Sequence, residues 1–129
     1  MNIQEFKKRL QERSVNLLYL SGHVTSLGYK KARVRFNTFQ ELLEREDIIS
    51  VSTFSRPHPK QRIKAYYIKN GIRELVDCGA ILILGDNKDS EGSTIEENLA
   101  TDLKMPIFRV FWDSEKDIKS DNLTIIEVQ

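Results

Sequence analysis

The apolar positions of this chain fall into short runs separated by polar turns, and their period changes from segment to segment. Ile3, Phe6 and Leu10 recur at helical spacing among charges, which predicts an amphipathic helix over residues 2–13. Val15 to Leu20 is apolar except for Asn16 and reads as a buried strand. From Tyr29 to about Glu46 the pattern is helical, with Ala32, Phe36, Phe39, Leu42 and Leu43 on one face. Ile48 to Phe54 is short, β-branched and alternating, which predicts a second strand. Over Lys60 to Asp77 a helical stripe of Ala65, Ile68, Ile72, Leu75 and Val76 is expected to face the core, interrupted by Gly71. A mid-helix glycine costs about 1 kcal/mol relative to alanine, so either something approaches closely there or the helix tolerates it. Ala80 to Leu84 is the most apolar run and the expected central strand. Ser93 to Lys104 reads as a helix with Ile95, Leu99 and Leu103 inward. Pro106 to Trp112 and Leu123 to Val128 read as the last two strands.

Strands alternating with helices imply a largely parallel sheet covered on both faces. The expected fold class is α/β, a Rossmann- or flavodoxin-like three-layer sandwich. Its mostly parallel sheet has about five strands, and an extra helix precedes it. A length of 129 residues suits one domain spanning 1–129. Net charge is +1, so no global field argues for nucleic acid, and none is expected as a partner. Met1 to Lys8 lacks the apolar core of a signal peptide, and no run is long enough to cross a bilayer. A cytoplasmic protein with no membrane partner is the expectation. Cys78 is the only cysteine, which fits a reducing compartment and a buried, inert thiol.

Three constellations carry candidate chemistry. The first is Ser21-Gly22-His23-Val24-Thr25 at the carboxyl end of the first strand. Ser21, Gly22, His23 and Thr25 offer a tight turn, two hydroxyls and backbone amides suited to a phosphate or a sugar. Small polar residues suit an ordinary connecting loop equally well. The spacing is neither a Walker loop nor a dinucleotide fingerprint. The second is the polar stretch after the central strand, with the carboxylates Asp86, Asp89, Glu91, Glu96 and Glu97. Ser93-Thr94-Ile95-Glu96 matches a capping box, which by itself would explain Glu96. The competing reading makes Glu96 a carboxylate nucleophile or a ribose-binding group at the rim of a pocket. The third is the basic and aromatic set Arg56, Lys60, Arg62, Tyr66 and Tyr67, suited to a phosphate or a stacked base, or to solvent. His23 and His58 are isolated and give no metal-ligand spacing, so no metal is expected.

In their order the motifs resemble the nucleoside 2-deoxyribosyltransferase-like superfamily, and in particular a small branch of it. The likeness rests on Tyr19 to Thr25 with Ala32 to Phe36, on Ile72 to Ile81, and on Ser90 to Ala100 followed by Met105-Pro106-Ile107. It covers about residues 15–112. The resemblance implies a Rossmann-like sheet, a homodimer or higher homo-oligomer, and cleavage or transfer at the N-glycosidic bond of a nucleoside or nucleotide. It places Glu96 on the catalytic nucleophile. It places Ser21 and Gly22 on the pocket-lining loop, and Gly92 and Ser93 on the turn that holds sugar or phosphate. Asn70 and Asp89 join the expected substrate-binding set, and Tyr29 or Tyr67 is the expected stacking ring. No cofactor is required by such chemistry. Gly71 and Gly79 stand where the superfamily pattern often has aspartates, and His23 where proline is usual. The alternative reading is therefore a catalytically degenerate module that senses or sequesters a nucleotide.

Overall fold

A computed structural model describes residues 1–56, 64–114, 118–119 and 122–128. Its elements run α1 (Ile3–Glu12), β1 (Leu18–Ser21), α2 (Tyr29–Glu44), β2 (Ser50–Val51), α3 (Lys64–Leu75), β3 (Ala80–Leu84), α4 (Glu91–Asp102), β4 (Ile107–Trp112) and β5 (Leu123–Glu127). The sheet order is β2-β1-β3-β4-β5. β2, β1, β3 and β4 are parallel and β5 is antiparallel at the edge. This is the flavodoxin-like α/β arrangement that the alternation predicts. Strand order reverses between β1 and β3, which makes the carboxyl ends of those strands the place for a ligand.

Alternation along each strand sorts the core into two parts. Leu18, Leu20, Leu82, Leu84, Phe108 and Val110 pack with Phe6, Leu10, Phe36 and Phe39 of α1 and α2. Tyr19, Ile81, Ile83 and Ile107 pack on the opposite face with Leu75, Cys78, Ala100 and Met105. Cys78 is buried and its thiol is pushed up to about 12, mainly by burial, which keeps it protonated and inert.

Three expectations need correction. β2 has only two residues, because the chain leaves the ladder at Ser52 and turns in a 3₁₀ segment, Thr53–Ser55, capped by Ser52. In α3 the buried residues are Tyr67, Asn70, Gly71 and Leu75, while Ala65 and Val76 are exposed and Ile68 and Ile72 half-buried. The helix is thus rotated from the apolar stripe so that its least bulky position meets β1 and α4. Ile95 and Leu103 of α4 likewise point outward, and the inward face is Ser93, Glu96 and Ala100. The predicted start of α3 at Lys60, together with His58 and Arg62, lies outside the described residues.

Candidate active site

β1 ends with two hydroxyl-bearing side chains on one face, Tyr19 and Ser21, two residues apart as strand alternation requires. α4 passes behind them. Its N-cap is Ser90, whose Oγ accepts from the Ser93 amide at 3.4 Å. The helix therefore begins three residues earlier than the capping-box reading predicts. Ser93 sits inside the first turn, and Glu96 does not fold back on it. Helical spacing instead puts Ser93, Glu96 and Ala100 on the buried face. The Tyr19 hydroxyl donates to Glu96 Oε2 in a short hydrogen bond, and Ser21 Oγ donates to Glu96 Oε1 at 2.7 Å. Ser21 Oγ also lies 2.8 Å from Ser93 Oγ, which extends the chain of hydroxyls.

Glu96 is only 5% exposed. Burial raises its carboxyl to about 7, against the opposing pull of the Tyr19 and Ser21 hydrogen bonds. Tyr19 is held well above its ordinary 10, first by burial and then by the Glu96 charge. Near neutral pH the phenol is thus the proton donor and the carboxyl is poised between its two states.

Gly71 of α3 explains how this pair fits. A methyl group at that position would overlap both Glu96 Oε2 and the Tyr19 hydroxyl oxygen. The mid-helix glycine is there because two polar tips come against the helix backbone. Gly79 lies at the other end of β3, where a Cβ would meet Val15 Cγ1 at 3.3 Å. Five strand residues separate it from the carboxyl ends, about 17 Å at 3.3 Å per residue. Its lack of a side chain does not bear on this site.

A narrow cleft, with a cavity volume of about 30 Å³ inside its open mouth, lies against the pair. Its lining includes Tyr19, Gly22, Thr25, Phe36, Thr53, Lys64, Tyr67, Gly92, Ser93 and Glu96. Gly22 is tight for a reason, since a Cβ there would lie 3.3 Å from Leu84 Cβ and 3.5 Å from Phe36 Cζ. Of the predicted residues, Gly22, Thr25, Gly92, Ser93 and Glu96 line the cleft, and Ser21 holds Glu96 from β1. The other three do not line it either. His23 bridges two loops, with Nδ1 2.5 Å from Ser26 Oγ and Nε2 2.7 Å from the Asp86 carbonyl oxygen. Asp89 takes a positive φ of 65° in an exposed turn. Asn70 is buried on α3 away from the lining. Tyr67 is a wall of the cleft, and Tyr29 sits one row back, its ring 6.0 Å from that of Tyr67. Arg56 is 2.7 Å from Glu74, and Tyr66 is exposed.

Sequence reasoning missed Tyr19, Thr53 and Lys64. Tyr19 left a signal: it is the one residue with a polar tip in the run Leu17-Leu18-Tyr19-Leu20, and a buried phenol needs a partner. A buried carboxyl with a raised pKa beside a phenol, at the switch point of a parallel sheet, is suited to act as nucleophile or base.

The chain belongs to the family described as a domain of unknown function, DUF4406. The family match spans residues 16–109, from just before β1 into β4, and so contains Tyr19, Ser21, Gly71 and Glu96. No curated protein and no solved structure matches the chain. Among the described residues no group of three or more His, Cys, Asp or Glu side chains could hold a metal ion. None of the described helices is long and apolar enough to cross a membrane.

Proposed function

We propose that this protein binds a nucleoside or nucleotide in the cleft and cleaves or transfers its N-glycosidic bond, with Glu96 as nucleophile. The observation that carries the reading is the Glu96 carboxyl, buried, held by Tyr19 and Ser21, and lining a cleft at the β1/β3 switch point. The resemblance to nucleoside 2-deoxyribosyltransferase-like proteins supplies the substrate class. In the first step a Glu96 oxygen bonds the sugar C1. The C1–N bond breaks, its electron pair leaves with the base, and the base takes a proton from water. In the second step water or an incoming base attacks C1 and gives up a proton to the hydroxide left by the first step, and the C1–O bond to Glu96 breaks to restore the carboxylate. Tyr19 and Ser21 orient the carboxylate throughout. Ser93 and Gly92 face the sugar or its phosphate, and Tyr67 offers a ring face to the base. The scheme uses no cofactor and suits a cytoplasmic homodimer or higher homo-oligomer.

Gly71 shapes this chemistry. An aspartate there would collide with the Tyr19–Glu96 pair, so proton delivery from that helix position is absent by construction. The test is incubation with a panel of nucleosides and nucleoside monophosphates, with chromatography for free base. Release by the native protein that falls at least about 10³-fold in Glu96→Ala supports the enzyme. Tight binding without release, unchanged in Glu96→Gln, would favour the sensing or sequestering module instead. Neither release nor a ligand-induced rise in melting temperature would sink both.

A further inference from the structure

Beside Glu96 in the sequence is a second carboxylate with a different destination. Glu97 points along the sheet to β4, where Arg109 Nη2 approaches its two oxygens at 3.4 and 3.5 Å. Arg109 Nη1 also donates to the Gly85 carbonyl oxygen at 2.9 Å and to Asn87 Oδ1 at 3.2 Å. Asn87 Nδ2 in turn donates to Glu97 Oε1 at 2.7 Å, and the Asn87 carbonyl oxygen accepts from the Ser90 amide at 3.0 Å. The knot is largely out of solvent: the Arg109 side chain is 16% exposed and Asn87 8%. It ties three things together, namely β4, the loop after β3, and the second turn of α4.

We infer that Arg109 is a positioning residue for Glu96, holding Glu97 and the β3–α4 loop so that α4 keeps the roll that brings Glu96 onto Tyr19 and Ser21. Consecutive helical residues point about 100° apart, so any roll of α4 moves both carboxylates. The apolar packing of α4 is a weak guide to that roll. Its buried face is Ser93, Glu96 and Ala100, while Ile95 is outward. Two polar anchors on either flank, β1 through Glu96 and β4 through Glu97, define the orientation instead. The guanidinium fork matters, since it reaches a carbonyl, an amide and a carboxylate at once, which an ammonium on a flexible stem does not reproduce.

Glu96 is faced by Tyr19 and Ser21 from β1, Ser93 from α4 and the Gly71 backbone from α3. Lys64 shares the cleft lining, and Glu74 and Cys78 act on Tyr19. Among the described residues no cation pairs with the Glu96 carboxylate. Burial is the dominant influence on it, so loosening the helix solvates it.

The catalytic relevance of this clamp rests on the reading of Glu96 as nucleophile, but its test does not. The side-chain carboxyl ¹³C resonance of Glu96, assigned against Glu96→Gln, is followed through a pH titration without substrate. In Arg109→Met the midpoint falls toward an ordinary glutamate by about one pH unit or more, and in Arg109→Lys by less. Loss of a positive charge alone would move a carboxyl upward, so the sign separates positioning from through-space electrostatics. Asn87→Ala removes bonds of the knot without changing charge and carries the same expectation if Arg109→Met fails to fold. A midpoint that stays put or rises in folded variants overturns the inference. A midpoint that falls while no protein in the series releases base leaves the clamp standing and removes the glycosidic reading.

Discussion

On the α1–α2 side the sheet presents Leu18, Leu20, Leu82, Leu84 and Phe108 to a thick layer of phenylalanine and leucine. On the α3–α4 side the same strands present Tyr19 and Ser21 beside Ile81 and Ile83, and the helices answer with Gly71, Ser93, Glu96 and Ala100. One face is bulk hydrocarbon. The other gives up apolar volume, exposes Val76, Ile95 and Leu103, and buries a carboxyl. The alternation within β1 divides the two roles residue by residue: Leu18 and Leu20 hold the fold, and Tyr19 and Ser21 hold the site. A buried ionisable group costs free energy, so the thick face must carry stability that the thin face gives up.

The largest expected effect lies on the thick face. Phe108 is fully buried and meets Phe6 edge to face with ring centroids 5.0 Å apart. Phe108→Ala should cost about 3–5 kcal/mol in urea unfolding. Under conditions where the variant is still folded, the Glu96 titration should be unmoved. A shift in that titration would show that the two faces are not independent.

On the thin face the comparable effect comes from pH. The unfolded chain gives up the Glu96 proton near 4.5, whereas the native protein holds it to about 7. A raised carboxyl favours the native state when protonated, so stability from this group is full below about 4.5. It is lost as pH rises to about 7 and stays lost above. That difference amounts to about 3 kcal/mol. Glu96→Gln keeps an acceptor oxygen and removes the charge. It should be more stable than the native protein at pH 8, with the difference disappearing toward pH 4. On the proposed mechanism, base release should rise with pH up to about 7. Equal pH dependence of unfolding in the two proteins would contradict the buried, raised carboxyl.

The thick face was also the legible one. The phenylalanines and leucines of α2 and the run Ala80–Leu84 follow from periodicity, because burial of large apolar side chains dominates there, and the strand order follows from the alternation of strands with helices. The thin face misled. The apolar stripe of Ala65, Ile68, Ile72 and Val76 should by periodicity face inward, yet α3 is turned by the need to bring Gly71 against Tyr19 and Glu96. Ser93 and Glu96 satisfy a capping box in sequence, but Ser90 supplies the cap and frees Glu96 to cross to β1. Glu96, Ser21 and Gly22 could be offered as candidates from the place of their loops after the strands and from the motif resemblance. Tyr19 left a fainter signal, because a tyrosine in an apolar run reads as core until its hydroxyl is seen to have a partner.

Two glycines sharpen the comparison at smaller scale. Gly71→Ala gains about 1 kcal/mol of helix propensity and loses about 1–3 kcal/mol to overpacking against Glu96 and Tyr19. The net loss of about 1 kcal/mol in urea unfolding should come with separation of the Tyr19–Glu96 pair, visible as a moved Glu96 titration and lost base release. Gly79→Ala meets only Val15 at 3.3 Å, at the far end of β3, and should leave the titration where it was. If both alanines moved it alike, the pair would not depend on the gap at position 71.

The smallest effects are those of two helix caps, one on each face. Asn2 caps α1, accepting from the Glu5 amide at 2.9 Å while the Glu5 carboxylate accepts from the Asn2 amide at 3.1 Å. Ser90 caps α4. Asn2→Ala and Ser90→Ala should each lower stability by about 1 kcal/mol, because each orphans a helix-end amide. Their consequences for the site should differ. α1 packs on the hydrocarbon face through Ile3, Phe6 and Leu10, so fraying of its first turn stays local. α4 has little apolar packing to hold its first turn, and Ser93, in that turn, bonds Ser21 and thereby supports Glu96. At matched loss of stability, Ser90→Ala should move the Glu96 titration and Asn2→Ala should not. Two silent caps would mean that the hydroxyl chain is rigid without its helix end, and that the thin face is better packed than its side chains suggest.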